Sequence, residues 1–160
     1  MDIRSVDVVK DKQRLLDFHC TTNYESASPL LRKTYTFEQW RKIFMQSPGP
    51  DEFLSDLAAS MKNKRTIAEF WEDKDSIVAY VWVVFHDWET TGAEIKDILV
   101  VPEYQHRGVA TQIIKHIEEL ARKRGATWLR SGTGIENVAS QRLHKKSGFY
   151  TYHMEFEKEL

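Results

Sequence analysis

The stretch from Ile98 to Ala110 constrains this chain more than any other. Ile98-Leu99-Val100-Val101 reads as a buried strand, Pro102 stops it, and Tyr104-Gln105-His106-Arg107-Gly108-Val109-Ala110 opens a strongly periodic segment. A strand, a tight turn and a helix in that order leave the first N–H groups of the helix without intrahelical acceptors, at the end where the helix dipole favours negative charge. Such a turn is suited to hold a pyrophosphate. Gly108 and Ala110 suit it because larger side chains would keep phosphate oxygens away from those N–H groups, and Gly108 tolerates unusual dihedrals. Arg107 can add a charge-assisted contact. The string is neither a Walker loop nor the dinucleotide fingerprint, whose spacings differ.

After the turn, Ala110, Ile113, Ile114, Ile117, Leu120 and Ala121 form one apolar stripe of a helix. Arg122-Lys123-Arg124 suit its negative end, and Gly125 can cap it. Ala126 to Ser131 then returns as a strand, which makes the unit β-α-β with a parallel pair. Thr66–Trp71 and Ile77–Phe85 predict a hairpin around Glu72-Asp73-Lys74-Asp75, followed by a strand from Glu94. Asn137 opens a short helix closed by Gly148, and Phe149 to Glu157 alternates Tyr150, Tyr152, Met154 and Phe156 with polar residues, predicting an outer strand. Near the start, Arg4–Val9 reads as a strand and Lys12–Cys20 as a helix with Leu15, Leu16 and His19 at helical spacing. Thr36 can cap a second helix through about Met45, stopped by Ser47-Pro48-Gly49-Pro50, and Asp51–Lys62 predicts a third. The implied fold is α/β, a mixed sheet flanked by helices.

At 160 residues the chain is expected to form one domain, and 41% hydrophobic with 29% charged residues is a globular composition. Its formal charge is −1, with 15 acidic against 12 basic side chains in residues 1–90 and 9 against 11 thereafter, so nothing electrostatic favours nucleic acid. No apolar run approaches membrane-spanning length and Met1-Asp2-Ile3-Arg4 begins no signal segment, so a cytoplasmic protein without membrane contact is expected. Cys20 is the single cysteine and the six histidines have no ligand spacing, which argues against a disulfide and a metal site. Six of the seven glycines lie after residue 90, where backbone would work close to a ligand.

The segment Ile98-Leu99-Val100-Val101-Pro102 to Ala110, followed by Asn137-Val138-Ala139-Ser140-Gln141-Arg142-Leu143-His144-Lys145-Lys146-Ser147-Gly148-Phe149, resembles the GCN5-related N-acetyltransferase (GNAT) superfamily. That family combines Leu/Ile-x-Val-x-Pro-x-x-Arg/Gln-x-x-Gly-x-Gly/Ala with a later Asn-x-x-Ala-x-x-Leu-Tyr-x-x-x-Gly-Phe. The resemblance covers roughly residues 65–158. It implies a cofactor-binding core over 65–160, acceptor-side helices over 1–64, acetyl-CoA as co-substrate, and a small-molecule or peptide amine as acceptor. It leaves a homodimer open.

Acetyl transfer to an amine requires deprotonation of the amine, stabilisation of a tetrahedral oxyanion, and departure of a thiolate. By resemblance, the strand before the phosphate loop is bulged and splays from its neighbour, and main-chain N–H groups of Ile98, Leu99 and Val100 hold the thioester oxygen. Gln105 would bind the cofactor, and His106, Arg107, Gly108, Val109, Ala110 and Thr111 would take its pyrophosphate. Asn137 would bond the cofactor, or cap its helix, or both. Glu94, eleven residues before Gln105, resembles the catalytic glutamate of the histone-acetyltransferase branch; the alternative is an exposed charge at a strand start. Asp97, Glu136 and His86 stay open as bases. His144 stands where the family usually has the tyrosine assigned as acid to the thiolate, and an imidazolium can donate that proton. Tyr24, Tyr35, Trp40, Trp82, Phe85 and Trp88 are candidates for the acceptor-pocket wall or for core. Two other functions fit less of the pattern: a non-catalytic acyl-CoA-binding module, and a transferase with another acyl group or a protein N-terminal acceptor.

Overall fold

The computed structural model describes residues 1–87 and 91–159. Its elements run β1 (Asp2–Ser5), α1 (Lys12–Ser26), α2 (Pro29–Thr34), α3 (Phe37–Gln46), α4 (Gly49–Lys62), β2 (Thr66–Asp73), β3 (Ser76–His86), β4 (Gly92–Val100), α5 (Val109–Lys123), β5 (Trp128–Ser131) and α6 (Val138–Lys146). The sheet order follows the chain, β1-β2-β3-β4-β5. Strands β1 to β4 pair antiparallel, and β5 lies parallel to β4 after the α5 crossover.

Local chemistry accounts for several of these elements. At α3, Thr36 Oγ1 accepts the Gln39 N–H (3.3 Å) and Gln39 Oε1 accepts the Thr36 N–H (2.9 Å), a reciprocal capping box. The β2–β3 turn passes through Lys74 (φ 48°) and Asp75 (φ 66°), two successive left-handed residues whose twist suits a tight hairpin. The proline cluster expected to stop α3 also starts α4, because Pro50 lies in the first turn, where an N–H is dispensable. Helix α1 continues past Cys20 to Ser26, and the short α2 was not expected; its Ser28 cap accepts the Leu31 N–H at 3.3 Å.

The sheet is packed on both faces. Phe70, Tyr80 and Leu99 meet Leu15, Leu16, Phe18, Phe44, Phe53 and Leu57 from the α1, α3 and α4 side. Val81, Val83, Ala93 and Ile95 meet Val109, Ile113, Ile114 and Ile117 from α5. Ile113 and Ile117 are fully buried, each contributing about 1.5–3 kcal/mol of apolar burial. The stripe read from the sequence is therefore the face α5 turns to the sheet. No described helix is long and apolar enough to cross a membrane.

The expected outer strand over Phe149–Glu157 is not formed. Its alternation is strand-like, yet Tyr150 and Phe156 are 85% and 92% exposed, and the segment has no ladder partner among the described residues. Instead it crosses α2, where Glu157 accepts the Leu30 N–H (3.2 Å) and Lys33 bonds Glu159 (3.1 Å). Side-chain periodicity is compatible with a strand but cannot supply the neighbouring backbone that a ladder needs.

Candidate active site

The site begins where two parallel strands part. Strand β5 pairs with β4 only from Gly92↔Trp128 to Ile95↔Ser131, while β4 continues to Val100. Ile98, Leu99 and Val100 thus pair with Val81, Tyr80 and Ala79 on one side and have no β5 residue opposite them on the other. Next to the parting, the β3–β4 register shifts: Trp82 pairs with Asp97 and Val83 with Ile95, so Lys96 is the extra residue of a bulge. The bulge has a side-chain consequence. Regular alternation would put Asp97 on the same face as Ile95, toward α5; the extra residue turns Asp97 and Leu99 toward α1 instead.

Beyond β4, a 3₁₀ turn over Pro102–Tyr104 leads into the loop before α5. Gln105 Nε2 donates to the Val100 carbonyl (2.9 Å), and the Tyr104 hydroxyl donates to Asp73 (2.7 Å), tying the loop to β4 and to the β2–β3 hairpin. Arg107 lies over the Tyr104 ring, 5.2 Å from its centroid. His106 (φ 59°) and Gly108 (φ 83°) are both left-handed, and Gly108 is the N-cap of α5 without a side-chain cap bond. The N–H groups of Val109, Ala110 and Thr111 accordingly have no intrahelical acceptor, at the positive end of a 15-residue helix. A Cβ placed on Gly108 would meet no protein atom within 4 Å, so the glycine is required by dihedral and by access rather than by internal packing. Beside this turn, Thr111, Ile114, Lys115, Glu118, Lys146 and Ser147 line a recess of about 300 Å³ between α5 and α6, with two lysines on its wall.

The candidate proton-transfer groups fall into separate clusters. Glu94 is bonded to His86 Nε2 (3.2 Å) and to Lys96 Nζ (3.1 Å), and the His86 ring stacks on Trp128 at 5.7 Å. Trp128 packs so closely over Gly92 that a Cβ there would lie 1.9 Å from the ring. On the same sheet face, Asp97 is buried and bonded at 2.7 Å to both His19 Nδ1 and Thr22 Oγ1 of α1. Tyr80 lies close by; burial first, and the charge of Asp97 second, push its hydroxyl well above the usual phenol range, so it stays neutral. Glu136 faces Arg32 at 3.6 Å. At the end of α1, burial raises the Glu25 carboxyl above its ordinary value against the opposing charge of Arg32.

Asn137 caps α6: its Oδ1 accepts the Ser140 N–H at 3.1 Å. His144 Nδ1 lies 2.7 Å from the Ser140 carbonyl, which assigns the proton of the neutral ring to Nδ1. Its Nε2 is buried with no hydrogen-bond partner among the described residues, so only the imidazolium has an Nε2 proton to give. Of the candidate wall residues, Trp82 donates to Thr66 Oγ1 (2.8 Å), the Tyr24 hydroxyl donates to the Tyr35 carbonyl (2.8 Å), and Phe85 carries Arg124 at 4.2 Å. Trp40 packs against the α1-side core, and Trp88 lies outside the described residues. The sequence reading missed His19 and Thr22 as polar members of the site. Their only sequence signal was a polar pair, three residues apart, in line with the Leu15–Leu16 stripe of α1. Among the described residues, no group of three or more His, Cys, Asp or Glu is placed to hold a metal.

A five-stranded mixed sheet whose parallel pair separates beside a helix N-terminus defines the GNAT fold class. The acetyltransferase (GNAT) family model matches residues 31–149, and the chain belongs to that family. An aminoglycoside N(6')-acetyltransferase type 1 of Salmonella typhimurium is 34% identical over 55 residues, 34% of this chain and 38% of that protein. The matched segments span between about a quarter and two fifths of the curated relatives' own lengths. Solved structures are similar over almost the full chain. The aminoglycoside antibiotic 6'-N-acetyltransferase of Acinetobacter haemolyticus superimposes with a TM-score of 0.65 at 18% identity, covering 100% of this chain and 99% of that one. A predicted acetyltransferase of Clostridium acetobutylicum with acetyl-CoA gives 0.72 at 15% identity, covering 99% and 95%. At these identities the likeness shows the fold.

Proposed function

We propose that this protein transfers the acetyl group of acetyl-CoA to a primary amine on a small molecule, by direct attack in a ternary complex. The observation that carries the reading is the parting of β4 from β5 at Ile95 and Ser131, with β4 then leading through a loop into a helix start whose Val109–Thr111 N–H groups have no intrahelical acceptor. Main-chain N–H groups along Ile98–Val100 would hold the thioester carbonyl, where the developing oxyanion needs donors. The loop His106–Thr111 would take the pyrophosphate, with Gln105 fixing the loop and Arg107 adding charge. Glu94 lies on the α1 side of the parting and would attract the incoming ammonium. His144 would give its proton to the leaving thiolate. Asn137 would hold the start of α6 and offer its amide N–H to the cofactor.

The partial identity to aminoglycoside acetyltransferases supports an amino sugar as the first acceptor to try. The test is thiol release from acetyl-CoA across a panel of amino sugars, polyamines and peptide N-termini, with mass spectrometry of the products. Amine-dependent release and a product heavier by one acetyl group are expected. Tight CoA binding with no transfer to any amine would favour a non-catalytic acyl-CoA module instead.

A further inference from the structure

We propose that His19, oriented by Asp97, takes the proton from the acceptor ammonium, so that this pair rather than Glu94 supplies the base. The proposal rests on the acetyl-transfer reading above.

Asp97 lies between the bulged Lys96 and Ile98, at the start of the segment that would hold the thioester. Both its oxygens are engaged: Oδ2 with His19 Nδ1 and Oδ1 with Thr22 Oγ1, each at 2.7 Å. A carboxylate at Nδ1 fixes the proton there and leaves the basic lone pair on Nε2, as in the histidines of nucleophilic triads. Nε2 is met by Asn23 Nδ2 at 2.9 Å, and Asn23 is exposed, so that bond can be exchanged for one to an amine.

Aromatic rings hold the imidazole in place. The imidazole stacks on Phe53 with 3.8 Å between centroids and 5° between planes, and Phe44 and Trp82 approach at 5.9 and 6.3 Å. The rings and the Asp97 carboxylate together fix the plane of the imidazole and the direction in which Nε2 points. Among the described residues, the groups recorded against the pair are the neutral Tyr80 and Trp82 from the sheet, Thr22 and Asn23 from α1, and Phe44 and Phe53 from α3 and α4. Among the described residues no lysine or arginine forms an ion pair with Asp97. Glu94 differs in geometry: one carboxylate oxygen is held by His86 Nε2 and the other by Lys96 Nζ, so both are already engaged.

The steps balance. One ammonium proton passes to His19 Nε2, and the freed nitrogen lone pair forms the C–N bond at the thioester carbon. The tetrahedral adduct collapses with cleavage of the C–S bond. The departing thiolate takes its proton from the His144 imidazolium, the second nitrogen proton passes to water, which reprotonates His144, and His19 returns its own proton to water.

The experiment is the pH profile of kcat from about pH 5.5 to 9, a range that brackets an imidazole titration. It uses two acceptor amines of different basicity and runs alongside the NMR titration of the His19 ring in the wild-type protein. The expected results are an acidic limb common to both amines that coincides with the His19 titration, and Nδ1–H as the neutral tautomer. His19→Gln should lose the limb and about a hundredfold in kcat with little change in KM for acetyl-CoA. Asp97→Asn should displace the limb and lower kcat, a change in profile that a merely structural role would not give. An active His19→Gln variant with the wild-type limb would overturn the proposal, as would a wild-type limb that does not follow the NMR titration, a readout available even if the variant fails to fold. A wild-type protein that acetylates no amine would overturn the transferase reading and this proposal with it.

Discussion

On the α5 side of the sheet, the groups that would take the pyrophosphate lie in six consecutive residues, His106 to Thr111; on the α1 side, His19 meets Asp97 across 78 residues of sequence. The first site is made of main-chain N–H groups and one left-handed glycine, so it needs little more than a strand, a turn and a helix in order. The second is made of side chains from β4 and α1, between rings from α3, α4 and β3, so it exists only if those elements pack correctly. The contrast suits the chemistry. In the proposed reading the cofactor end would grip a constant phosphate group, which backbone can do, and the acceptor end would move a proton, which backbone cannot.

The largest effect that would break this comparison is at Gly108. Gly108→Val puts a β-branched residue at φ 83° and a side chain over the free N–H groups of α5. Ligand present at about a hundredfold over Kd stabilises a native state by about 2.7 kcal/mol, and that CoA-dependent stabilisation should vanish in the variant. Thermal melting with and without CoA checks it; an undiminished shift would remove the loop from the site. Gly92→Ala comes next, because a Cβ 1.9 Å from the Trp128 ring must displace the ring that stacks on His86. A loss of about 1–3 kcal/mol in denaturant stability is expected, with a lower rate of transfer and unchanged CoA binding. That outcome would confine the damage to the acceptor side.

Thr36→Ala should cost about 1 kcal/mol by removing half of the α3 capping box, measurable as a lower urea midpoint at constant m-value. The smallest effect concerns Arg4, which bonds Asp11 at 2.7 Å and pins β1 to the start of α1. The Arg4 hydrogen bond is the main cause that holds the Asp11 carboxyl below its ordinary value of 3.8. A depressed folded value means the stabilisation is present above 3.8 and is lost as the pH falls through the lower, folded value. Arg4→Met should therefore cost less than about 1 kcal/mol at neutral pH, since the guanidinium is partly exposed, and less again once Asp11 is protonated, when only the Glu72 bond and the Phe70 ring contact remain to be lost. Urea melts of both proteins at neutral and strongly acidic pH would test the sign.

The order of elements from Thr66 to Gly148 was legible because each carries its own signal. The 3.6-residue stripe of α5, the proline after β4 and the Thr36 cap act over a few residues and leave a local pattern. The same locality misled at the chain's end, where Tyr150, Tyr152, Met154 and Phe156 alternate without a strand forming. The alternation states which residues could share a face, and says nothing of whether a neighbouring backbone is present.

The candidate site divides in the same way. Gly108 and the first turn of α5 could be named from the sequence, because helix-end electrostatics follow from chain order alone. His19 and Thr22 could not, because one bulged residue, Lys96, decides which face of the sheet Asp97 joins, and a bulge is a property of the β3–β4 register. What the sequence determined by itself is the strand-loop-helix unit and the unpaired N–H groups at the start of its helix. Which histidine meets which carboxylate was decided only by the packing of α1 against a sheet whose register slips by one residue, since period-two alternation turns that slip into a change of face.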